Sequence, residues 1–381
     1  MRRVAIVHDW LVTWGGAERV LEQMLLAYPD ADVFCLVEGL DAERAHILRG
    51  RRVTTTFLQR LPGGRRGYWY LAPLMPLAIE QLDLTGYDLV LSSSHAVALG
   101  VITAPDQLHV SYVHSPIRFA WDLQPTYLDA FGYRAGLKSV VARLIFHYLR
   151  LWDRGAHAGV DAFIANSAFV ASRIRKVWRR EATVLHPPVD LQRFSLRRDK
   201  APYFLAGSRM NPFKRLDVVV DAFTRLLPDQ QLVVVGDGPG EDRVRALAGP
   251  NVQLVGHLPD AELTRRMQEA SAFVHAATED FGIAMAEAQA CGTPVIALGR
   301  GGAAEIVHGL EHDTPTGAFF AEPTPEAIAD AVRAFLAERA RISPEACRAR
   351  VAELSPERFR TRYRALVEEA WEAFEARGRL A

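Results

Sequence analysis

Ten apolar runs of strand length punctuate this sequence, with segments of helical spacing between them. The first half holds "RVAIVH", "ADVFCLV", "YDLVLSSS", "LHVSYVHS" and "DAFIANS"; the second holds "YFLAGSRM", "QLVVVGDGP", "VQLVGHL", "SAFVHAA" and "TPVIAL". A strand that is apolar on both faces must be covered on both faces, and strands that alternate with helices form parallel sheets with helices on either side. The pattern restarts after "TVLHPPVDLQRFSLRRDKAP", rich in proline and charge. The chain is therefore read as α/β, with two doubly wound, Rossmann-like domains at 1–188 and 189–360. A length of 381 residues suits two such domains. Ligands of these sheets bind beyond the carboxyl ends of the strands, so two of them facing each other predict a cleft. The closing amphipathic segment, about 360–381, is assigned to the first domain, although its pattern alone does not fix where it packs.

Composition narrows the function. Basic and acidic side chains number 45 each, a balance that argues against a dedicated nucleic-acid binder. Cys35, Cys291 and Cys347 are too scattered for a disulfide framework or a metal knuckle, which predicts a reducing, cytoplasmic setting. The opening "MRRVAIVHDW" lacks the apolar stretch of a secretory signal, and no run has the ~18 apolar residues of a spanning helix.

The densest chemistry lies in "TEDFGIAMAEAQACGTPVIAL", where Glu279 and Glu287 flank a strand-to-helix turn at Phe281-Gly282. A helix N-terminus presents unpaired N–H groups and a partial positive charge, which suits an anion. Gly282 allows a ligand close to the backbone. Glu279 precedes the helix, and Glu287 lies about a turn and a half inside it. One carboxylate on each side of a bound phosphate could grip the hydroxyls of two sugars. The bland alternative is a helix-terminal acid and a solvated one.

This stretch, continuing through "GTPVIALGRGGAAEIV", resembles the E-x7-E signature of family 4 glycosyltransferases, retaining enzymes of the GT-B fold. The resemblance implies that Glu279 meets the donor sugar and Glu287 the ribose. It also implies that the backbone at Phe281, Gly282 and Ile283 meets sugar and diphosphate. In "GSRMNPFKRLD", Arg209 and Lys214 are two cations near a strand end, able to clamp a diphosphate and offset charge on a leaving group. In "VVVGDGPG" the glycines do not make a dinucleotide fingerprint, and Gly236 is read as lining the nucleotide side. Val255 and His257 fall where the family holds the base.

In the first domain, Gly15 and Gly16 open a helix whose N–H groups could reach the donor phosphate. Glu18 either orders that loop or faces the acceptor. The resemblance places His114 of "SYVHSPIRFAWD" near the donor sugar, with Arg118, Trp121 and Asp122 beside the acceptor. These stretches look most like bacterial GDP-mannose-dependent mannosyltransferases of surface-polysaccharide assembly. Asp30 and Asp32 of "PDADVF" form an Asp-x-Asp triplet that holds a metal in other glycosyltransferases; here it has turn composition, and no metal or cofactor is expected.

Residues 51–80 stand apart. Five arginines and no acid between 51 and 67 precede a cluster of aromatic and aliphatic residues, a mixture that suits an anionic membrane, an acceptor groove or a covered loop equally. The resulting expectation is a cytoplasmic hexosyltransferase, peripheral to the membrane's inner face if this stretch binds lipid. Its partners are a nucleotide-sugar donor and a saccharide or lipid-linked acceptor. Alternatives are a UDP-hexose donor, a nucleotide-sugar epimerase and a non-catalytic nucleotide-sugar-binding subunit.

Overall fold

The computed structural model describes residues 2–41, 44–65 and 67–378. Arg66 of the basic stretch and the last three residues of the closing segment lie outside these. The chain divides into two compact units, Met1–Pro188 with Pro356–Ala381, and Val189–Ser355. The closing helix starts at Pro356, a few residues before the expected 360, so the second unit ends at Ser355.

Among the described residues, unit one has seven parallel strands. They are β1 (Val4–His8), β2 (Asp32–Cys35), β3 (Val53–Thr55), β4 (Leu89–Ser94), β5 (Leu108–Val113), β6 (Ala162–Ala165) and β7 (Thr183–Val184), in the order 3-2-1-4-5-6-7. Unit two has β8 (Tyr203–Gly207), β9 (Gln231–Val235), β10 (Val252–Gly256), β11 (Ala272–His275), β12 (Val295–Leu298) and β13 (Gly317–Phe320), in the order 10-9-8-11-12-13. Each sheet starts at a central strand, runs to one edge, then returns to fill the other side. The reversal points lie between β1 and β4 in unit one and between β8 and β11 in unit two. There the loops leaving neighbouring strands diverge and open a crevice.

Burial explains the apolar runs. Successive side chains of a strand point to opposite faces. In β8, Phe204 and Ala206 join one core while Leu205 joins the other; in β9, Leu232 and Val234 face one side and Val233 and Val235 the other. Ala5 and Val7 of β1 are likewise divided from Ile6. The closing helix, Pro356–Gly378, supplies Phe359, Tyr363, Leu366 and Val367 to the same core as Ile6. Arg364 Nε fastens it by donating to the carbonyl of Ala27 at 2.8 Å. Strands β3, β7 and β13, which lie at the sheet edges, were not among the expected runs.

Candidate functional site

In unit two the expected donor residues gather at the carboxyl ends of β8 to β11. Arg209 and Lys214 follow β8, Gly236 follows β9, and Glu279 follows β11. Arg209 is exposed. Lys214 is turned inward, with Nζ 2.5 Å from Glu279 Oε1. His275, the last residue of β11, brings Nε2 to 2.8 Å from the same oxygen. Burial by itself raises the Glu279 carboxyl, but the Lys214 charge and the His275 bond outweigh it and hold the group well below the usual carboxylate range. Glu279 is thus a fixed anion at the reversal point.

The loop carrying Glu279 is clamped from β12. Gly302 N donates to Glu279 O at 2.9 Å, and a Cβ at Gly302 would lie 2.2 Å from Phe281 O. Only glycine permits that approach. Gly282 has φ +95° and opens the helix Ile283–Ala290, on which Glu287 is buried. The loop after β9 is tied in the same way: Gly236 N donates to Gly256 O and Met210 N to Asp237 O, at 2.8 and 2.6 Å. These bonds set the segment that carries Arg209 against the glycine turn. Val255 is partly buried and His257 exposed, at the end of β10.

Unit one concentrates histidines at its own reversal point. His8 ends β1 and pairs in register with Ser93 of β4. Ser93 Oγ lies 3.0 Å from His8 Nδ1 and 2.9 Å from His114 Nε2. His8 Nε2 is 3.8 Å from Glu18 Oε1. His8, Ser93, Glu18 and His114 are all buried. Burial, reinforced by the nearby His95 and His8, pushes His114 well below the usual histidine value, so the ring is neutral at physiological pH. Asp9, fully buried, accepts from the N–H groups of His95, Ala96, Val97 and Ala98 at 2.6, 3.1, 2.6 and 2.7 Å. One carboxylate therefore fixes the loop leaving β4 to the loop leaving β1.

Two models of glycosyltransferase families match this chain. The model described as Glycosyl transferases group 1 matches residues 189–353, and that described as Glycosyltransferase Family 4 matches 14–193. The chain belongs to glycosyltransferase family 4. Among its relatives is the GDP-mannose-dependent alpha-(1-6)-phosphatidylinositol dimannoside mannosyltransferase of Mycobacterium tuberculosis. It is 28% identical, over 94% of this chain and 92% of the relative. A GDP-mannose-dependent monoacylated alpha-(1-6)-phosphatidylinositol monomannoside mannosyltransferase of Corynebacterium glutamicum is 32% identical, over 39% and 47%. A D-inositol 3-phosphate glycosyltransferase of Geodermatophilus obscurus is 33% identical, over 50% and 49%. The chain thus spans about half the length of the last two. Among solved structures, sucrose-phosphate synthase from Thermosynechococcus elongatus has a TM-score of 0.70 at 19% identity, covering 98% of this chain and 100% of that one. Anabaena HepE in complex with UDP has 0.67 at 17%, covering 96% and 100%. At these identities the likeness concerns the fold, which is GT-B.

Several residues expected near the acceptor also make contacts within unit one. Glu18 turns inward: a Cβ on Gly15 would lie 3.4 Å from Glu18 Oε2, so its carboxylate folds over the Gly15-Gly16 loop. The Gly16 end of the following helix has no side-chain cap. Trp121 Nε1 donates to Asp153 Oδ2 at 2.7 Å, as does Trp178 Nε1 at 2.8 Å. Asp122 pairs with Arg173 at 2.5 Å, and Arg118 is half-buried. Asp32 opens β2 and accepts from Tyr87 Oη at 2.7 Å. In a parallel sheet that is the end opposite to His8 and His114, so the Asp-x-Asp triplet lies away from the reversal point.

His275, His8, Ser93 and Asp9 were not singled out from sequence. The readable signal for His275 was its spacing, four residues before Glu279. Ser93→Ala tests the histidine chain. Leaving the facing His8 and His114 nitrogens without their shared hydroxyl is expected to cost about 1–3 kcal/mol, read as a lower denaturation midpoint. An unchanged midpoint would mean that the rings reorganise without it.

Proposed function

We propose that this family 4 glycosyltransferase moves mannose from GDP-mannose, with retention, to a saccharide or lipid-linked saccharide in polysaccharide or glycoconjugate assembly. The observation that carries this is Glu279, held ionised by Lys214 and His275 beside the Gly282-opened helix that bears Glu287. An anion fixed there suits the hydroxyls of a hexose, and Glu287 the ribose. Arg209, exposed at the end of β8, suits the diphosphate. Lys214, already paired with Glu279, joins sugar and phosphate recognition in one ion pair. In the proposed step the bond from the sugar C1 to the diphosphate oxygen breaks while the acceptor oxygen bonds to C1 on the same face. The acceptor's proton passes to a departing phosphate oxygen, and the two cations stabilise the diphosphate. His114 lies in unit one, which on this reading receives the acceptor. Buried free cysteines suit the proposed cytoplasmic setting.

The mannose choice is supported by the relatives from Mycobacterium tuberculosis and Corynebacterium glutamicum, named for GDP-mannose. A UDP-hexose donor is the second reading. A thermal-shift series separates the two, because a ligand at a hundredfold excess over its Kd stabilises by about 2.7 kcal/mol. GDP-mannose is expected to raise the Tm more than UDP-glucose; the reverse order would transfer the proposal to a UDP-sugar. Transfer is also expected to survive excess EDTA, since the clamp is built from side chains. Loss on chelation, restored by Mg²⁺ or Mn²⁺, would refute the metal-independent mechanism.

A further inference from the structure

We propose that the helix Gly136–Ala156 of unit one is a docking surface for an anionic lipid bilayer. The helix has 21 residues and two apolar faces. One packs inward, with Ala142 and Leu149 buried and Ile145, Phe146 and Trp152 partly so. The other is in water: Leu137, Val140, Val141, Leu144, Tyr148 and Leu151 are exposed, Leu137 to 80% and Leu144 to 62%. At about 100° per residue these six form a single stripe. An isolated exposed leucine needs no explanation, but a stripe of six large side chains marks a contact surface.

Charge chooses the occupant. Lys138, Arg143 and Arg154 are exposed beside the stripe, Arg150 turns inward to the Ala120 carbonyl and Gln124, and the helix's single acid, Asp153, is buried. An apolar stripe bordered by cations complements acidic headgroups above acyl chains. A second copy fits poorly, because stripe-on-stripe pairing about a twofold axis would bring the cationic borders of both copies together. No helix among the described residues is long and apolar enough to cross a membrane, so this one would lie in the interface plane. At its far end Leu151 joins Ile102, Trp152 and Glu80 in lining an open depression of ≈ 380 Å³.

This adds a second surface to the membrane contact expected of residues 51–80. Arg51 of that stretch is spent on the carbonyls of Leu48, Leu25 and Pro29. Tyr68 and Met75 are buried. Trp69, Tyr70, Leu74 and Leu77 stay exposed, and Trp69 meets Phe119, which meets Phe146 of the helix.

The inference is independent of the donor. Its test is flotation of the full chain with vesicles of phosphatidylcholine alone or mixed with phosphatidylglycerol. Binding is expected to the mixed vesicles, weakening with salt. The double variant Leu137→Asp/Leu144→Asp should lower it at least about tenfold with Tm and circular dichroism unchanged. Lys138→Glu/Arg143→Glu, which keeps the stripe, should abolish the preference for the anionic lipid. Failure to bind mixed vesicles, or binding indifferent to both variants, overturns the proposal. A concentration-dependent dimer lost in the double variant, without vesicle binding, overturns it in favour of a second copy.

Discussion

Replacing Asp9 with alanine is expected to remove about 4 kcal/mol or more of the stability of unit one. The carboxylate is fully buried and accepts four backbone N–H groups from His95 to Ala98. Without it those donors lose their acceptor in a site that excludes water, at about 1–3 kcal/mol for each left unsatisfied. Even at the lower bound the sum is about 4 kcal/mol, against a total domain stability of roughly 5–15 kcal/mol. Asn at position 9 keeps the shape but turns an amide NH₂ toward some of the donors, so it should fall between alanine and the native protein. Chemical denaturation followed by circular dichroism reads this directly. An Asp9→Ala protein that unfolds at the native midpoint would show that the His95–Ala98 loop finds other acceptors. The loop also carries His95, whose Nδ1 lies 3.0 Å from Asp9 Oδ2, so the reversal point should deform along with the fold.

The second large effect separates the two glutamates. Glu279→Gln is expected to raise the barrier by roughly 2–4 kcal/mol, lowering kcat about thirtyfold to nearly a thousandfold, with the affinity for free nucleoside diphosphate nearly unchanged. Glu287→Gln should weaken nucleotide binding itself, by about 1.5–3 kcal/mol if a charged hydrogen bond to the ribose is lost. Glutamine is the informative replacement, because Glu287 is buried and alanine would open a cavity. Calorimetric titration with nucleoside diphosphate, followed by transfer assays, distinguishes the roles. If Glu279→Gln loses nucleotide affinity while Glu287→Gln keeps it, the donor lies in the reverse sense along this helix.

The same carboxylate makes a pH prediction. The folded state holds Glu279 below its ordinary value of 4.5 through Lys214 and His275, against the opposing effect of burial. The folded protein therefore binds fewer protons here than the unfolded chain. The contribution to stability is present above about pH 4.5 and is lost as the pH falls below it, toward the depressed folded value. Lys214→Ala brings the folded value back toward the unfolded one and should shrink that loss, visible as a shallower acid limb of a Tm-against-pH curve.

Much of the fold was legible because burial on both faces leaves a local mark. Phe204, Leu205 and Ala206 are apolar in succession because each meets one core or the other. The same logic gave no sign of β3, "VTT", or of the two-residue β7, where edge position and shortness leave too little pattern. The site was legible in its parts. Glu279, Gly282 and Glu287 announced themselves by spacing around a turn, as did the cations after β8. Their pairing did not, because Lys214 and Glu279 are 65 residues apart and meet only where β8 neighbours β11.

The sequence by itself determined two parallel α/β units, their boundary near Pro188 and the spacing of Glu279, Gly282 and Glu287 around one turn. These depend on period, length and turn chemistry, which act over a few residues. Tertiary structure alone decided that Asp9 would cap a loop 86 to 89 positions away. It also set the closing helix, Pro356–Gly378, on unit one, and left one face of Gly136–Ala156 in water. An apolar stripe states that a face should be covered and not by what. The partner is chosen by which surfaces the strand order brings within reach, and that choice is made by the whole sheet at once.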